Sequence, residues 1–438
     1  MNVLETNLTR REFLQASALA SGALLAGCAA NPVTGGQQLM LLGQSDEVRI
    51  DRENAPHQLS SDYGISQDAR LAAYVDGFGR RMAAQTHRPS MPYRFVPVNA
   101  VYVNAYAFPG GTVAATRGIL LSLGSEDALA ALLGHELGHV NARHTAARMS
   151  TGILVSLALA GATTLAGDQY ADLAAGLGGV AAGALLARYS RDDERQADEL
   201  ALEYLRRSGY HPAGLLELMD VLRRLEREKP NALEQMFASH PMSEERYRTA
   251  ERRIAGLPAA GPPPAASRER YLDETAALRR IAPAIQRLQE AELLLGRKKP
   301  DQAAESASAA LHDAPGDYAG LLTMAKCQLA LGRHAEAERY ALAGAAAYPG
   351  EPQARHVTGM ARLGLRRYDA ALAEFDAYGR LLPGNPFTVF YQGRSYEGLD
   401  RRPQAGERYQ SFLGEVTSGE EAKHAAQRLR EWGMLPKR

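Results

Sequence analysis

A chain of 438 residues is too long for one ordinary core and suits two or three domains. Lys+Arg and Asp+Glu each number 50, which excludes the global basic field a nucleic-acid partner would demand, and 45% hydrophobic residues exclude a disordered or collagen-like chain. The only two cysteines, Cys28 and Cys327, exclude a disulfide framework and argue against a cysteine-ligated metal site; Cys327, in an apolar helical stretch, reads as a small buried residue.

The N-terminus reads as an address. Arg10 and Arg11 precede Phe13-Leu14 and an apolar stretch from Ala16 to Ala26, the order of an export signal. Thr9-Arg10-Arg11-Glu12-Phe13-Leu14 resembles a twin-arginine signal, with a Sec signal carrying two arginines as the alternative. Leu25-Ala26-Gly27-Cys28 is similar to a bacterial lipobox, which implies a signal over residues 1–27, cleavage before Cys28 and a diacylglycerol on its sulfur. Residues 28–56 then form a lipidated N-terminal segment. Ala29, where an Asp would retain the protein at the inner membrane, implies a periplasm-facing protein anchored to the outer membrane.

Residues 57–254 are mixed in pattern. Tyr93 to Val103 and Gly111 to Leu121 read as strands, with turn chemistry at Pro109-Gly110-Gly111. Ser125 reads as an N-cap before Glu126 and Asp127, opening a helix that runs to about Arg148. That helix carries Gly134-His135-Glu136-Leu137-Gly138-His139. Histidines four apart lie on one helix face and reach one ion; Glu136, beside that face, is placed to take a proton from an activated water.

A catalytic metal of this kind needs a third protein ligand. Ala142 and Thr145 stand where a further Gly and His would be required, which rejects that solution. His144 lies five residues past His139, about 140° around a straight helix, and reads as structural. A carboxylate from a second helix is the remaining route. Glu194 and Asp198 share a face in Asp193-Glu194-Arg195-Gln196-Ala197-Asp198: one can bind metal while the other accepts an N–H from a ligand histidine. A solvated acidic helix start is the plain alternative.

Between these helices, Thr151 to Ala187 is Ala/Gly/Leu-rich, and Thr151–Gly167 holds no charge. It lies at the lower limit for a membrane span. Soluble helices packed near the site as a cover are the preferred expectation.

Ala255 to Ser267 reads as a Pro/Ala linker, set at 255–268. Beyond it, over 269–438, three series recur every 34 residues: Ala303, Ala337, Ala371 and Ala405; Pro315, Pro349 and Pro383; Ala291, Ala325, Gly359 and Gly393. Small residues where two helices cross, with Pro at the repeat end, predict an all-α tetratricopeptide-repeat (TPR) solenoid. Four repeats from about Ala284 to Ser418 and a capping helix through Trp432 would present a concave surface to polypeptides.

The HELGH and ERQAD segments together resemble the HExxH…ExxAD pattern of the HtpX-like, CAAX-prenyl-endopeptidase-like zinc metallopeptidases (metallopeptidase family forty-eight). Asn104-Ala105-Tyr106-Ala107-Phe108-Pro109-Gly110-Gly111 and Asn31-Pro32-Val33-Thr34-Gly35 are similar to that family's segments before the active helix and after the lipobox. The resemblance implies an α+β zincin (gluzincin-like) domain over 57–254, with one Zn2+ per chain on His135, His139 and Glu194, and Asp198 behind a ligand histidine. Zincins add substrate as a strand to a sheet edge, so Asn104, Ala105, Tyr106 and Ala107 are the candidate edge, an internal hairpin strand being the alternative. Ser239-His240-Pro241 and Arg246 resemble the family's HP…R element. His240 then reads as a latching fourth ligand, an oxyanion stabiliser or a capping or core residue, and Arg246 as an oxyanion stabiliser.

Chains of that kind often tie their repeats with cysteines; here no pair exists, so docking must be noncovalent. The expected function is a lipid-anchored envelope metalloendopeptidase acting on unfolded or unassembled proteins, with the repeats recruiting clients or outer-membrane assembly machinery. The rival is a repeat-based chaperone whose protease is mostly latent. A prenyl-peptide protease inside the membrane needs several long apolar spans, which the sequence lacks.

Overall fold

The structure is a computed structural model and describes residues 28–163, 189–228, 234–258 and 261–435. The signal segment before Cys28, the lipid-acceptor side chain of Cys28 and residues 164–187 of the expected cover lie outside the described residues.

A short antiparallel pair, β1 (Cys28–Ala30) and β2 (Gln37–Leu39), leads into helix α1 (Gln44–Ser61), followed by α2 (Ala69–Ala83). Three strands make the main sheet: β3 (Arg94–Val98), β4 (Ala105–Ala107) and β5 (Thr112–Thr116). Their order is β3-β5-β4, with β3 parallel and β4 antiparallel to β5, so β4 forms an edge. The expected strands are therefore too long. The first ends at Val98, where the Asn99 side chain binds the carbonyls of Tyr63 and Ile65. The second ends at Thr116, whose hydroxyl accepts from the Ile119 N–H and caps a short helix, α3 (Arg117–Ser122). The turn at Pro109-Gly110-Gly111 joins β4 to β5, and Gly110 is needed there: a Cβ would meet Asp51 Cβ at 2.5 Å.

Helix α4 (Glu126–Asn141) starts as its cap predicts, with Ser125 Oγ accepting from Ala128 N–H at 3.1 Å. It is buried on every side, its polar residues included. It does not run on to Arg148. Arg143 takes φ 62°, and a new helix, α5 (His144–Thr163), leaves in another direction. Helix α6 (Arg191–Arg207) packs along α4 at a seam of small residues: a Cβ on Gly138 would lie 3.0 Å from Ala197 Cα, and one on Gly134 3.2 Å from Ala201 Cα. Helices α7 (Gly214–Glu228), α8 (Glu234–Ser239) and α9 (Glu244–Ala255) complete this half. Among the described residues no helix is long and apolar enough to cross a membrane.

After the Pro/Ala segment, α10 (Ala265–Glu274) and α11 (Ala276–Arg280) pack back on the α+β half, where Tyr271 Oη donates to Leu120 O at 2.6 Å. Then come four helix pairs: α12–α13 (Ala282–Gly296, Pro300–Asp313), α14–α15 (Tyr318–Ala330, His334–Ala347), α16–α17 (Gln353–Gly364, Tyr368–Leu381) and α18–α19 (Pro386–Gly398, Arg402–Glu415). Helix α20 (Glu420–Glu431) caps them. The alanines of the first series are fully buried, and Gly359 and Gly393 admit Phe375 and Tyr409 where a Cβ would clash. The α+β domain followed by an all-α repeat region is thus the observed architecture.

The two halves meet through side chains. Tyr63 Oη and Thr323 Oγ1 lie 3.2 Å apart, Lys326 Nζ donates to Tyr63 Oη at 3.2 Å, and Ser60 Oγ donates to Glu351. Cys327 is buried with a free thiol.

Candidate metal centre

One nitrogen or oxygen from each of His135, His139, Glu194 and His240 lies within 4.8 Å of all the others, and all four residues are buried. The histidines of α4 bring their Nε2 atoms to 3.1 Å of one another. Glu194, from the first turn of α6, lies 3.4 Å from His139 Nε2 and 3.6 Å from His135 Nε2. His240, just past α8, places Nδ1 3.3 Å from His135 Nε2 and 3.0 Å from Glu194 Oε1. Sequence reasoning therefore found all four residues. The second helix begins on Ser190, whose hydroxyl accepts from Asp193 N–H while the Asp193 carboxylate accepts from Ser190 N–H.

The surroundings orient these groups. Asp198 Oδ1 accepts from His135 Nδ1 at 3.0 Å, which leaves Nε2 of a neutral His135 as a lone pair. Arg246 holds Asp198 with two bonds of 2.7 Å, donates to Pro241 O at 2.9 Å and pairs with Glu194 Oε2 at 2.6 Å. The guanidinium of Arg246, the candidate oxyanion stabiliser, thus lies against both carboxylates of α6. Burial opposes ionisation of Asp198, but Arg246 and His135 hold it below the ordinary carboxylate range. Glu194 likewise lies far below that range, because the His240, His139 and His135 rings outweigh its burial.

Glu136 behaves differently. Burial raises its pKa, only partly offset by His240 and His135, and neither carboxylate oxygen has a hydrogen-bond partner. Burial opposes charge on His240 too, but Glu194 and Glu136 pull its pKa up. His139 and His144 are pushed down by burial, well down for His139, which favours neutral rings with a lone pair.

This chemistry fits a metal ion. Two imidazole nitrogens and a carboxylate converge in a buried pocket. A divalent cation satisfies such a donor set.

Three residues of the site escaped sequence reasoning. His144 is not remote: the break at Arg143 brings its Nδ1 to 2.9 Å from His139 Nδ1, and its Nε2 lies 2.8 Å from Gln196 Oε1. Tyr189 stacks on His139 with ring centres 3.8 Å apart, and its N–H donates to Ser239 O at 3.1 Å. No motif marks Tyr189; Gln196 could have been suspected from its place between Glu194 and Asp198.

The candidate edge strand, with Asn104, Ala105, Tyr106 and Ala107, runs beside α4 and is buried. The crevice lined by Ala107, Phe108, His139, Thr145 and Tyr189 leaves no room for a water molecule. At the far end of α4, Asn31 Nδ2 donates to Ala142 O at 3.3 Å, and its Oδ1 accepts from Val33 and Thr34 N–H groups. The Asn31–Gly35 turn thus abuts the metal-ligand helix.

A buried HExxH helix crossed by a glutamate-bearing helix defines the site of a metallopeptidase. Residues 69–254 match the model of peptidase family M48, and residues 294–363 match a tetratricopeptide-repeat model. The chain is similar to the "Metalloprotease YcaL" of Escherichia coli, 31% identical over 191 residues, which cover 42% of this chain and 74% of that protein. It is also similar to the "Beta-barrel assembly-enhancing protease" of Yersinia pestis, 29% identical over 281 residues (59% of this chain, 55% of that one), and to its namesake in Escherichia coli, 28% identical over 206 residues (45% and 41%). The match thus spans about half the length of these two assembly-enhancing proteases. The chain belongs to peptidase family M48.

Proposed function

We propose that this chain is a zinc-dependent endopeptidase of the bacterial cell envelope, held to the outer membrane by a lipid on Cys28 and acting on misfolded or unassembled proteins. The observation that carries it is the convergence of His135, His139 and Glu194 beside a buried Glu136 whose oxygens accept no hydrogen bond. Bound there, one zinc would polarise a peptide carbonyl and lower the pKa of a water to about 7.

The remaining work belongs to the protein. Glu136, its proton affinity raised by burial, accepts the proton of the attacking water and passes it to the leaving amine. Asp198 fixes the ring of His135, and Arg246 keeps both buried acids ionised. Strand β4, at the sheet edge beside α4, receives the substrate as an added strand through Asn104–Ala107, a mode that reads main chain and tolerates many sequences. His240 acts as a fourth ligand that keeps water and substrate out. The repeats recruit clients or outer-membrane assembly machinery, a reading supported by the names of the relatives and by the use other repeat solenoids make of their concave face.

The deciding experiment is zinc content and casein cleavage of the purified chain beside Glu136→Gln and Glu194→Ala. About one zinc per chain, no cleavage in Glu136→Gln and weakened zinc in Glu194→Ala are expected; a chain without zinc would refute the reading. The buried edge and the ligation-competent His240 favour one second reading, a repeat-based assembly factor whose protease is mostly latent. A Glu136→Gln variant that still rescued a null strain would select it.

A further inference from the structure

We infer that His144 and Gln196 are positioning residues that fix which nitrogen of His139 faces the metal, an inference resting on the metal reading above. His139 has two ring nitrogens, and only the one without hydrogen can bind an ion. Its Nε2 points into the cluster, 3.1 Å from His135 Nε2, while its Nδ1 lies 2.9 Å from His144 Nδ1. One of those two Nδ1 atoms must donate to the other.

The far side of His144 decides which. Its Nε2 lies 2.8 Å from Gln196 Oε1 and 3.5 Å from Asp193 Oδ1. A carboxylate only accepts, and the Gln196 amide is free to turn its oxygen inward, so Nε2 of His144 carries the hydrogen. Nδ1 of a neutral His144 is then a lone pair. It accepts from His139 Nδ1–H, and Nε2 of His139 is left bare for the ion. His135 reaches the same state by a different route, donating Nδ1–H to Asp198. The two ligand histidines therefore have separate supports, both rooted in the helix that bears Glu194.

The backbone is built to deliver this contact. On a continuous helix His144 would face away from His139. Arg143, at φ 62°, makes the turn that brings it under the ring, a conformation costly for a side-chain-bearing residue. Buried contacts hold Arg143 there: Nε donates to Glu47 Oε1 at 3.0 Å and Nη2 to Leu42 O at 2.6 Å. Glu47 is in turn paired with Arg88 at 2.6 Å. Such a restrained strain is more than packing a histidine into a core requires.

The test is zinc affinity of the full chain, measured by competition with a chromogenic chelator, together with the thermal midpoint of the metal-free protein. In His144→Phe the ring is kept and the acceptor lost; in His144→Asn a carbonyl oxygen takes the place of Nδ1. We expect His144→Phe to bind zinc about 10- to 100-fold more weakly and His144→Asn to regain most of that loss, with metal-free midpoints unchanged. A Phe variant that binds as tightly as the unsubstituted chain, or Phe and Asn variants equally weak, would overturn the inference. If His144→Phe does not fold, Gln196→Leu decides by the same titration: weaker zinc supports the relay and unchanged zinc overturns it. Glu194→Ala, run alongside, separates the two levels. If the unsubstituted chain holds zinc no better than Glu194→Ala, the metal reading itself fails and the relay falls with it.

Discussion

Arg117, at the start of α3, and Asp317, at the head of α14, meet in a buried two-pronged ion pair across 200 positions of sequence. Arg117 also donates to Asn99 O at 2.9 Å, and Asp317 caps its own helix by accepting from Gly320 N–H at 2.8 Å. The pair thus joins the end of the catalytic sheet to the first turn of a repeat.

Removing one partner leaves the other charge buried and uncompensated, so Asp317→Ala should cost about 3–5 kcal/mol of stability. Replacing both by apolar residues of similar size should cost far less. Urea denaturation of the single and double variants checks this; equal losses would show that the pair is not coupled.

His240 supplies the fourth atom of the cluster. His240→Ala should raise basal casein cleavage while the chain still carries about one zinc. Activity that stays level or falls would remove the latch and leave His240 a structural role.

The seam between α4 and α6 is tight at Gly138, where a Cβ would stand 3.0 Å from Ala197 Cα and 3.1 Å from its carbonyl oxygen. Valine there must push the helices apart, carrying Glu194 and Asp198 away from the histidines. Gly138→Val should lose zinc by at least tenfold and lower the unfolding midpoint, whereas helix propensity alone predicts a slight gain relative to glycine. Chelator competition and thermal melting together distinguish these outcomes.

At the junction, burial lifts the Glu351 carboxyl to about 7, against the opposing bonds from Ser60 and Gln353 N–H. Its folded value exceeds the ordinary one, so the folded state holds the proton more tightly than the unfolded chain. The contribution is full below about pH 4.3, the ordinary glutamate value, and fades as pH rises through 7. Glu351→Gln should therefore gain stability relative to the unsubstituted chain between pH 5 and pH 8. Parallel stability curves across that range would show that Glu351 does not titrate there.

Much of this was legible in the sequence, for stated reasons. The Ser125 cap, the histidine pair and the glutamate helix carry local signals, and the 34-residue period reappears in the helices that begin at Pro300, His334, Tyr368 and Arg402. Where reading failed, the cause was nonlocal. Arg143 does not look like a residue that turns left-handed; Glu47, almost a hundred positions earlier, holds it so, and with the turn unseen His144 was sent to the wrong face. The strand expected to run to Leu121 stops at Thr116, because the Thr116 hydroxyl caps a helix that apolar residues from Ile119 onward do not announce. The pairing of Arg246 with Asp198 and Glu194 is likewise invisible in the sequence, because it joins residues about 50 positions apart.

Helix α6 concentrates obligations on five of six successive positions. Asp193 and Gln196 lie behind His144, Glu194 faces the cluster, Ala197 lines the seam and Asp198 steadies His135. A slip of one residue turns that helix by about 100° and misplaces every one of these groups together. The metal ligand, both histidine supports and the helix seam therefore stand or fall on one helical register.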